Sequence, residues 1–269
     1  MSGTSDNNLA LFCDFENIAL GVRDEKYAIF DINRVLEKLL VKGSIVVKKA
    51  YCDWGRYKEF KATMHEASFE LIDIPHVRQS GKNSADIRMV VDALDLCYTK
   101  SHVNTFVIIS GDSDFSPLVS KLRENAKTVI GVGVKNSTSD LLIKNCDEFI
   151  YYDDIAREQA QKKKKSPKPA KGRKTKRKTA KAKPKDNKQD GIDQALEVAS
   201  ALNAERGDQD TLWGSMVKQA LKRVNPSFNE GYYGFESFSK LLEEAQARGQ
   251  LDLELDERSG GYIIRKVTS

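Results

Sequence analysis

The sequence predicts an α/β fold with a mostly parallel sheet, followed by a smaller unit of helices and a hairpin. Three observations lead there. Strand-length apolar runs alternate with amphipathic stretches from residue 8 to 155, a strongly cationic segment fills residues 161–190, and helical periodicity resumes after it. A chain of 269 residues with 40% hydrophobic composition can bury one sizeable core and a second, smaller one.

The first part reads element by element. "LALFCDF" is a short apolar run ending in acid, "DINRVLEKLLVKG" has helical spacing with a glycine stop, and "SIVVKKAYCDW" is again strand-like. "RYKEFKATMHEAS" is a helix and "FELIDIPHV" a strand, with Asp73 inside it. "SADIRMVVDALDLCYTK" follows as a helix with Ser84 as its expected N-cap. Then come strand "TFVIISGD", helix "FSPLVSKLRENAK", strand "TVIGVGV", helix "SDLLIKNC" and strand "EFIYYDD". Such β–α alternation places helices on both faces of a parallel sheet.

Charge is divided unevenly. The net charge is +5, yet residues 161–190 hold 15 Lys and Arg against 2 Asp, so the remainder is net −8. With prolines, no apolar periodicity and strong self-repulsion, this stretch is expected to be a disordered, extended tether over 159–190. Cations without balancing anions exceed what a spacer needs and favour a polyanionic partner. Nucleic acid is favoured over a membrane, because nothing amphipathic or acylatable flanks the run, and Lys162, Lys163, Lys164 and Lys165 begin it.

Several classes are excluded. No apolar segment reaches membrane-helix length and the N-terminal residues lack a signal-peptide pattern, so a soluble, cytoplasmic protein is expected. Cys13, Cys52, Cys97 and Cys146 are dispersed in apolar surroundings and read as buried thiols, and His65, His76 and His102 lack metal-ligand spacing. Any hydrolytic chemistry therefore rests on carboxylates.

Ligands of parallel sheets sit beyond the carboxyl ends of the strands. Asp14 closes the first strand, Asp112 and Asp114 follow "TFVIIS", and Asp86 lies near the start of the helix at Ser84. Each has an ordinary alternative: Asp114 as a helix cap, Asp86 as a helix-dipole partner, Asp112 as a turn residue. Together at one rim they would repel one another, and a divalent cation with oxygen ligands, magnesium or manganese, removes the conflict. Asp92, six residues past Asp86, turns about 240° away on an ideal helix and is read as structural. A haloacid dehalogenase-type phosphatase would carry D-x-D at the first strand, where this chain has "DFEN". A response-regulator receiver would have its acceptor Asp at the third strand's end.

"LFCDFENI", "KNSADIRMVVDALDL", "TFVIISGDSDFSPLVSKLRENAKTVIGVGV" and "NCDEFIYYDD" occur in the order found in NYN domains, and residues 8–155 resemble that LabA-like branch of the PIN nuclease superfamily. The resemblance implies a Rossmann-like PIN fold over 8–158, magnesium or manganese as cofactor, and RNA as substrate. It assigns Asp14, Asp86, Asp112 and Asp114 to the acidic metal cluster and Asn17 to the motif's asparagine, while Lys82, Ser110 and Ser113 are candidates for phosphate contact or plain loop residues.

Beyond the tether, "GIDQALEVASALNAE", "TLWGSMVKQALKRV" and "SFSKLLEEAQARG" are helical, and "LDLELDERSGGYIIRKV" is two strands about a Ser-Gly-Gly turn. That order describes a winged helix over 191–269. The pattern from Phe228 to Phe238 resembles the LOTUS, or OST-HTH, domain, which implies binding of RNA or of a protein partner. With 9 Lys and Arg against 13 Asp and Glu, residues 191–269 are unsuited to binding through general phosphate attraction. Trp213, Phe235 and Phe238 are expected in the core, and Tyr232 and Tyr233, beside glycines, at an exposed loop where bases stack. The expected whole is a metal-dependent ribonuclease joined to an RNA-targeting module, the alternative being an RNA-binding or regulatory protein without turnover.

Overall fold

The computed structural model describes residues 7–25, 30–75, 84–157, 187–206, 211–257 and 259–267. Lys82, Lys162, Lys163, Lys164, Lys165 and the tether up to residue 186 lie outside these. The chain divides into two compact units, Met1–Arg157 and Glu158–Ser269.

In the first unit, β1 (Asn8–Asp14), β2 (Ser44–Cys52), β3 (Glu70–Asp73), β4 (Thr105–Ile109), β5 (Thr128–Gly133) and β6 (Glu148–Tyr151) form one sheet in the order β3-β2-β1-β4-β5-β6. Every neighbouring pair is parallel. The central strands are apolar because helices cover both their faces: all five residues of β4 are buried, and so is β1 from Leu9 onward. Successive β1 residues point to opposite faces, sending Leu9, Leu11 and Cys13 into one core and Ala10 and Phe12 into another.

The first face is covered by α1 (Phe15–Asp24), α2 (Ile32–Leu40) and α3 (Lys58–Glu66), through residues such as Ile18, Val35 and Met64. The second is covered by α4 (Ser84–Thr99), α5 (Ser116–Glu124) and α6 (Asp140–Asn145), through Met89, Leu118 and Leu142. A short α7 (152–157) follows β6 directly. Asp31 caps α2 by accepting from Asn33 N at 3.2 Å, and Ser139 caps α6.

Two local differences from the sequence reading have clear causes. The sequence reading has no helix between the first strand and "DINRVLEKLLVKG", yet α1 stands there over Phe15–Asp24 and follows β1 with no loop, because Asp14 ends the strand and caps the helix at once. Asp73 is the last residue of β3 rather than an interior one. Its carboxylate accepts from Trp54 N at 2.9 Å and ties the end of β3 to the loop after β2.

The second unit consists of α8 (Asn187–Arg206), β7 (Leu212–Trp213), α9 (Gly214–Val224), α10 (Phe238–Ala247), β8 (Leu251–Leu255) and β9 (Tyr262–Val267). Its strands make an antiparallel sheet in the order β7-β9-β8. Helix α8 starts four residues inside the segment assigned to the tether. Ile192, Leu221, Phe235, Phe238 and Leu241 are core, and Trp213 is half-buried in β7.

Tyr233 corrects the expectation of an exposed stacking residue. Its ring stacks on Phe228 at 5.3 Å between centroids, its hydroxyl accepts from Gln194 Nε2 at 2.8 Å, and it presses on Gly191, where a Cβ would lie 2.6 Å from Tyr233 Cγ. Tyr232 is also half-buried, edge-on to Tyr233 at 5.0 Å. The close packing comes from Gly191 in α8, whereas Gly234 beside Tyr233 serves the turn with a positive φ of 84°. Tyr233→Ala is accordingly expected to destabilise this unit by about 2–3 kcal/mol, read from faster amide exchange in α8.

Among the described residues no helix is long and apolar enough to cross a membrane.

Candidate active site

From β1 the connections run outward to β2 and β3, and from β4 they run the other way to β5 and β6. The crevice beyond the carboxyl ends of β1 and β4 is thus the switch point of the sheet, where doubly wound folds place their ligands. Asp14 is the last residue of β1, and Ser110, Gly111 and Asp112 directly follow β4.

A short hydrogen-bond network holds this junction. Asp14 Oδ1 accepts from Asn17 N at 3.3 Å, and the other carboxylate oxygen accepts from Ser110 Oγ at 3.0 Å. Asn17 Oδ1 accepts from Gly111 N at 2.9 Å, so the first turn of α1 is clamped to the loop after β4. Ser110 Oγ also accepts from Asp112 N at 3.2 Å. Asp112 in turn accepts from Asp114 N at 3.0 Å and caps the 3-10 turn Ser113–Phe115. The capping and site readings of the acids therefore coincide, with Asp112 rather than Asp114 as the cap. Gly111 is required by space: a Cβ there would lie 2.5 Å from Ser137 O and 3.0 Å from Thr138 Cα, both backbone atoms.

Asp14, Asn17, Asp86 and Asp112 line one cleft of about 280 Å³. Burial pushes the pKa of Asp14 up to about 7, with the charges of Asp86 and Asp112 adding to the shift and the bonds from Asn17 and Ser110 opposing it. Burial also raises Asp86, helped by Asp112, Asp114 and Glu16. Asp114 is exposed and lies at the margin, lining a neighbouring hollow that shares Asp86 and also includes Ser113. Ser110 is fully buried and committed to Asp14, which corrects its candidacy for phosphate contact: it positions the carboxylate instead. Asp92 accepts from Tyr51 Oη at 2.9 Å, Arg88 Nε at 3.0 Å and Lys49 Nζ at 3.4 Å, and fastens α4 to β2. Burial works against its charge, yet Tyr51, Lys49 and Arg88 hold its pKa below the ordinary value.

Two acids escaped the sequence reading. Glu16 and Asp53 also line the cleft, and Glu16 pairs with Arg56 at 2.9 Å. Both were within reach of the rule that found Asp14, since Glu16 stands inside "DFEN" and Asp53 immediately follows β2.

Among the described residues no three His, Cys, Asp or Glu side chains form a closed ligand group. The donor chemistry nevertheless fits a hard cation. The charges that perturb Asp14 and Asp86 are carboxylates alone, and magnesium is commonly held by one or two carboxylates plus water and substrate oxygens.

Residues 8–153 match the NYN domain, more than half of the chain, and the protein belongs to that family, part of the PIN-like nuclease superfamily. Its relatives include an uncharacterized protein of Methanocaldococcus jannaschii, 27% identical over 169 residues, covering 60% of this chain and 63% of that protein. Another is meiosis regulator and mRNA stability factor 1 of Xenopus tropicalis, 25% identical over 147 residues, covering 55% of this chain and 8% of that protein. The chain thus spans less than two thirds of either relative. A crystal structure of a Vibrio parahaemolyticus protein of unknown function superposes with a TM-score of 0.51 at 26% identity, covering 58% of this chain and 98% of that one.

Proposed function

We propose that the first unit is a metal-dependent ribonuclease hydrolysing phosphodiester bonds at the cleft between β1 and β4. The observation that carries this reading is the convergence of Asp14, Asp86 and Asp112 on one cleft at the switch point, with only carboxylates among the charges that perturb Asp14 and Asp86. The frog relative's name, which joins it to mRNA stability, supports RNA as the substrate class. A bound magnesium or manganese ion supplies Lewis acidity toward a phosphoryl oxygen and lowers the pKa of its water. Asp14, Asp86 and Asp112 hold the ion, Asp114 adds negative charge at the margin, and Asn17 fixes the loop that carries Asp112.

Because Asp14 keeps its proton up to about pH 7 without metal, proton and cation compete for it. Manganese affinity is expected to rise with pH through about 7 and then level off, with release of about one proton per ion bound at pH 6. Calorimetry in buffers of different ionisation enthalpy reads this directly, and no proton release at pH 6 argues against Asp14 as a ligand.

The basic segment is proposed to hold RNA near the cleft. Each phosphate it neutralises adds about 0.7 to the slope of log affinity against log salt. Deleting residues 161–185, which leaves α8 whole, should flatten that slope; an unchanged slope and affinity would reduce the segment to a spacer.

For the second unit we propose a LOTUS-type winged helix, supported by its helices packed with the β7-β9-β8 sheet. Its excess of 13 acidic over 9 basic residues from position 191 favours recognition by shape or by a protein partner. An RNA-binding or regulatory protein that keeps the acidic cleft without turnover is the second reading of the whole chain. Cleavage of mixed RNAs with magnesium, manganese or EDTA separates the two.

A further inference from the structure

An all-carboxylate cleft is a poor place for a phosphate strand. Asp14, Glu16, Asp53, Asp86 and Asp112 line it, and the described lining residues include no Lys or Arg. A divalent cation offsets only part of that charge, so the strand is repelled on either side of the ion unless a fixed positive group stands at the rim.

Arg56 is placed to be that group. The residues after β2 form a tight turn tied down at each step: Trp54 N donates to Asp73 Oδ1 at 2.9 Å, Trp54 Nε1 to Ile72 O at 3.2 Å, Gly55 N to Asp53 Oδ1 at 3.0 Å and Arg56 N to Asp53 O at 3.0 Å. The rings of Trp54 and Tyr57 pack on Phe15, at 5.0 and 5.6 Å between centroids. Arg56, which precedes Tyr57, thereby comes to the next residue of α1: its Nη1 donates to Glu16 Oε1 at 2.9 Å, with the side chain 52% exposed. The other guanidinium N–H groups make no hydrogen bond among the described residues, and they form a planar fork that fits phosphate oxygens. Arg56 is bonded to a residue of the cleft without lining the cleft itself, so it meets a bound strand beside the cation rather than at it.

We infer that Arg56, held in place by Glu16, binds the RNA phosphate that flanks the scissile one and fixes the strand at the rim of the cleft. The inference rests on the ribonuclease reading for the identity of the strand and of the scissile bond. It makes Arg56 a substrate-binding residue, whose loss is felt in affinity more than in the chemical step.

The full chain carrying Asp112→Asn, which binds without cutting, serves for the first measurement, the affinity for a single-stranded RNA dodecamer across about 0.1–0.4 M salt. Adding Arg56→Gln should weaken binding about tenfold at the low end and flatten the slope of log affinity against log salt by about 0.7, the share of one phosphate. Adding Arg56→Lys should keep the slope and lose only about threefold, because the charge stays while the fork is lost. In the active chain with manganese, Arg56→Gln should raise KM about tenfold and lower kcat by less than about threefold. Thermal melting should shift little, since an ion pair this exposed contributes little to stability. Unchanged slope and affinity in Arg56→Gln overturn the proposal, and so does an equal loss in Arg56→Gln and Arg56→Lys with the slope unchanged, which would make the pair with Glu16 purely structural. If the slope and affinity respond as expected while the wild-type chain cuts no RNA with either metal, the phosphate contact stands and the ribonuclease reading alone fails.

Discussion

Asp14→Asn is expected to abolish RNA cleavage and, in EDTA at alkaline pH, to make the protein more stable. The loss should be about a thousandfold or more in kcat/KM, roughly 4 kcal/mol of transition-state stabilisation, since the amide cannot supply the carboxylate's charge. The gain in stability has a separate origin. Folded and metal-free, Asp14 keeps its proton up to about pH 7, whereas an unfolded aspartate loses it near its ordinary value of about 3.9. Between those values the folded chain binds the extra proton, so stability falls as pH rises across the window, and the whole cost is present above pH 7. Asparagine carries no such cost, and its side chain still caps α1 and reaches Ser110. The variant should therefore match the wild type at pH 4 and exceed it by up to about 4 kcal/mol at pH 8. Denaturant melts at the two pH values measure this, and a variant weakened at pH 8 would show that Asp14 is a structural cap before anything else.

Gly111→Ala should damage both fold and site. The added methyl would meet Ser137 O at 2.5 Å and Thr138 Cα at 3.0 Å, so backbone rather than a flexible side chain would have to move. Such overpacking costs about 1–3 kcal/mol. The strain falls on the loop whose amide donates to Asn17 and which leads directly into Asp112, so cleavage should drop by about tenfold or more even where the protein remains folded. Thermal melts and single-turnover cleavage together read this. A stable, fully active Gly111→Ala would mean that the clamp between α1 and the β4 loop does not set the geometry of the cleft.

Much of this arrangement was legible because period and position are local properties. The apolar runs of β1 and β4 mark central strands, and the rule that ligands sit beyond strand ends brings Asp14 and Asp112 to one place. Asp92 was separated from Asp86 by helix geometry alone, and its bonds to Tyr51 and Arg88 agree with that. What stayed hidden depended on packing between distant segments. Ser110 reads as a loop hydroxyl, and only the approach of β4 to β1 turns it into a strut under Asp14. Tyr233 reads as exposed beside Gly234, and only the contact with Gly191 and Phe228 shows its ring to be occupied. Asp114 was placed with its neighbours by spacing, but the turn capped by Asp112 leaves it at the margin.

Carboxylates that hold a cation for hydrolysis of RNA make cleavage depend on both the metal and the acids. The most direct test of that dependence is the cleavage of a single-stranded RNA by the full chain and by Asp112→Asn, each with manganese, with magnesium and with EDTA, alongside RNA affinity. Cutting by the wild type with metal only is expected, with none by Asp112→Asn and RNA affinities within about tenfold of each other, since the contacts outside the cleft persist. Undiminished cleavage by Asp112→Asn, or by the wild type in EDTA, would contradict it.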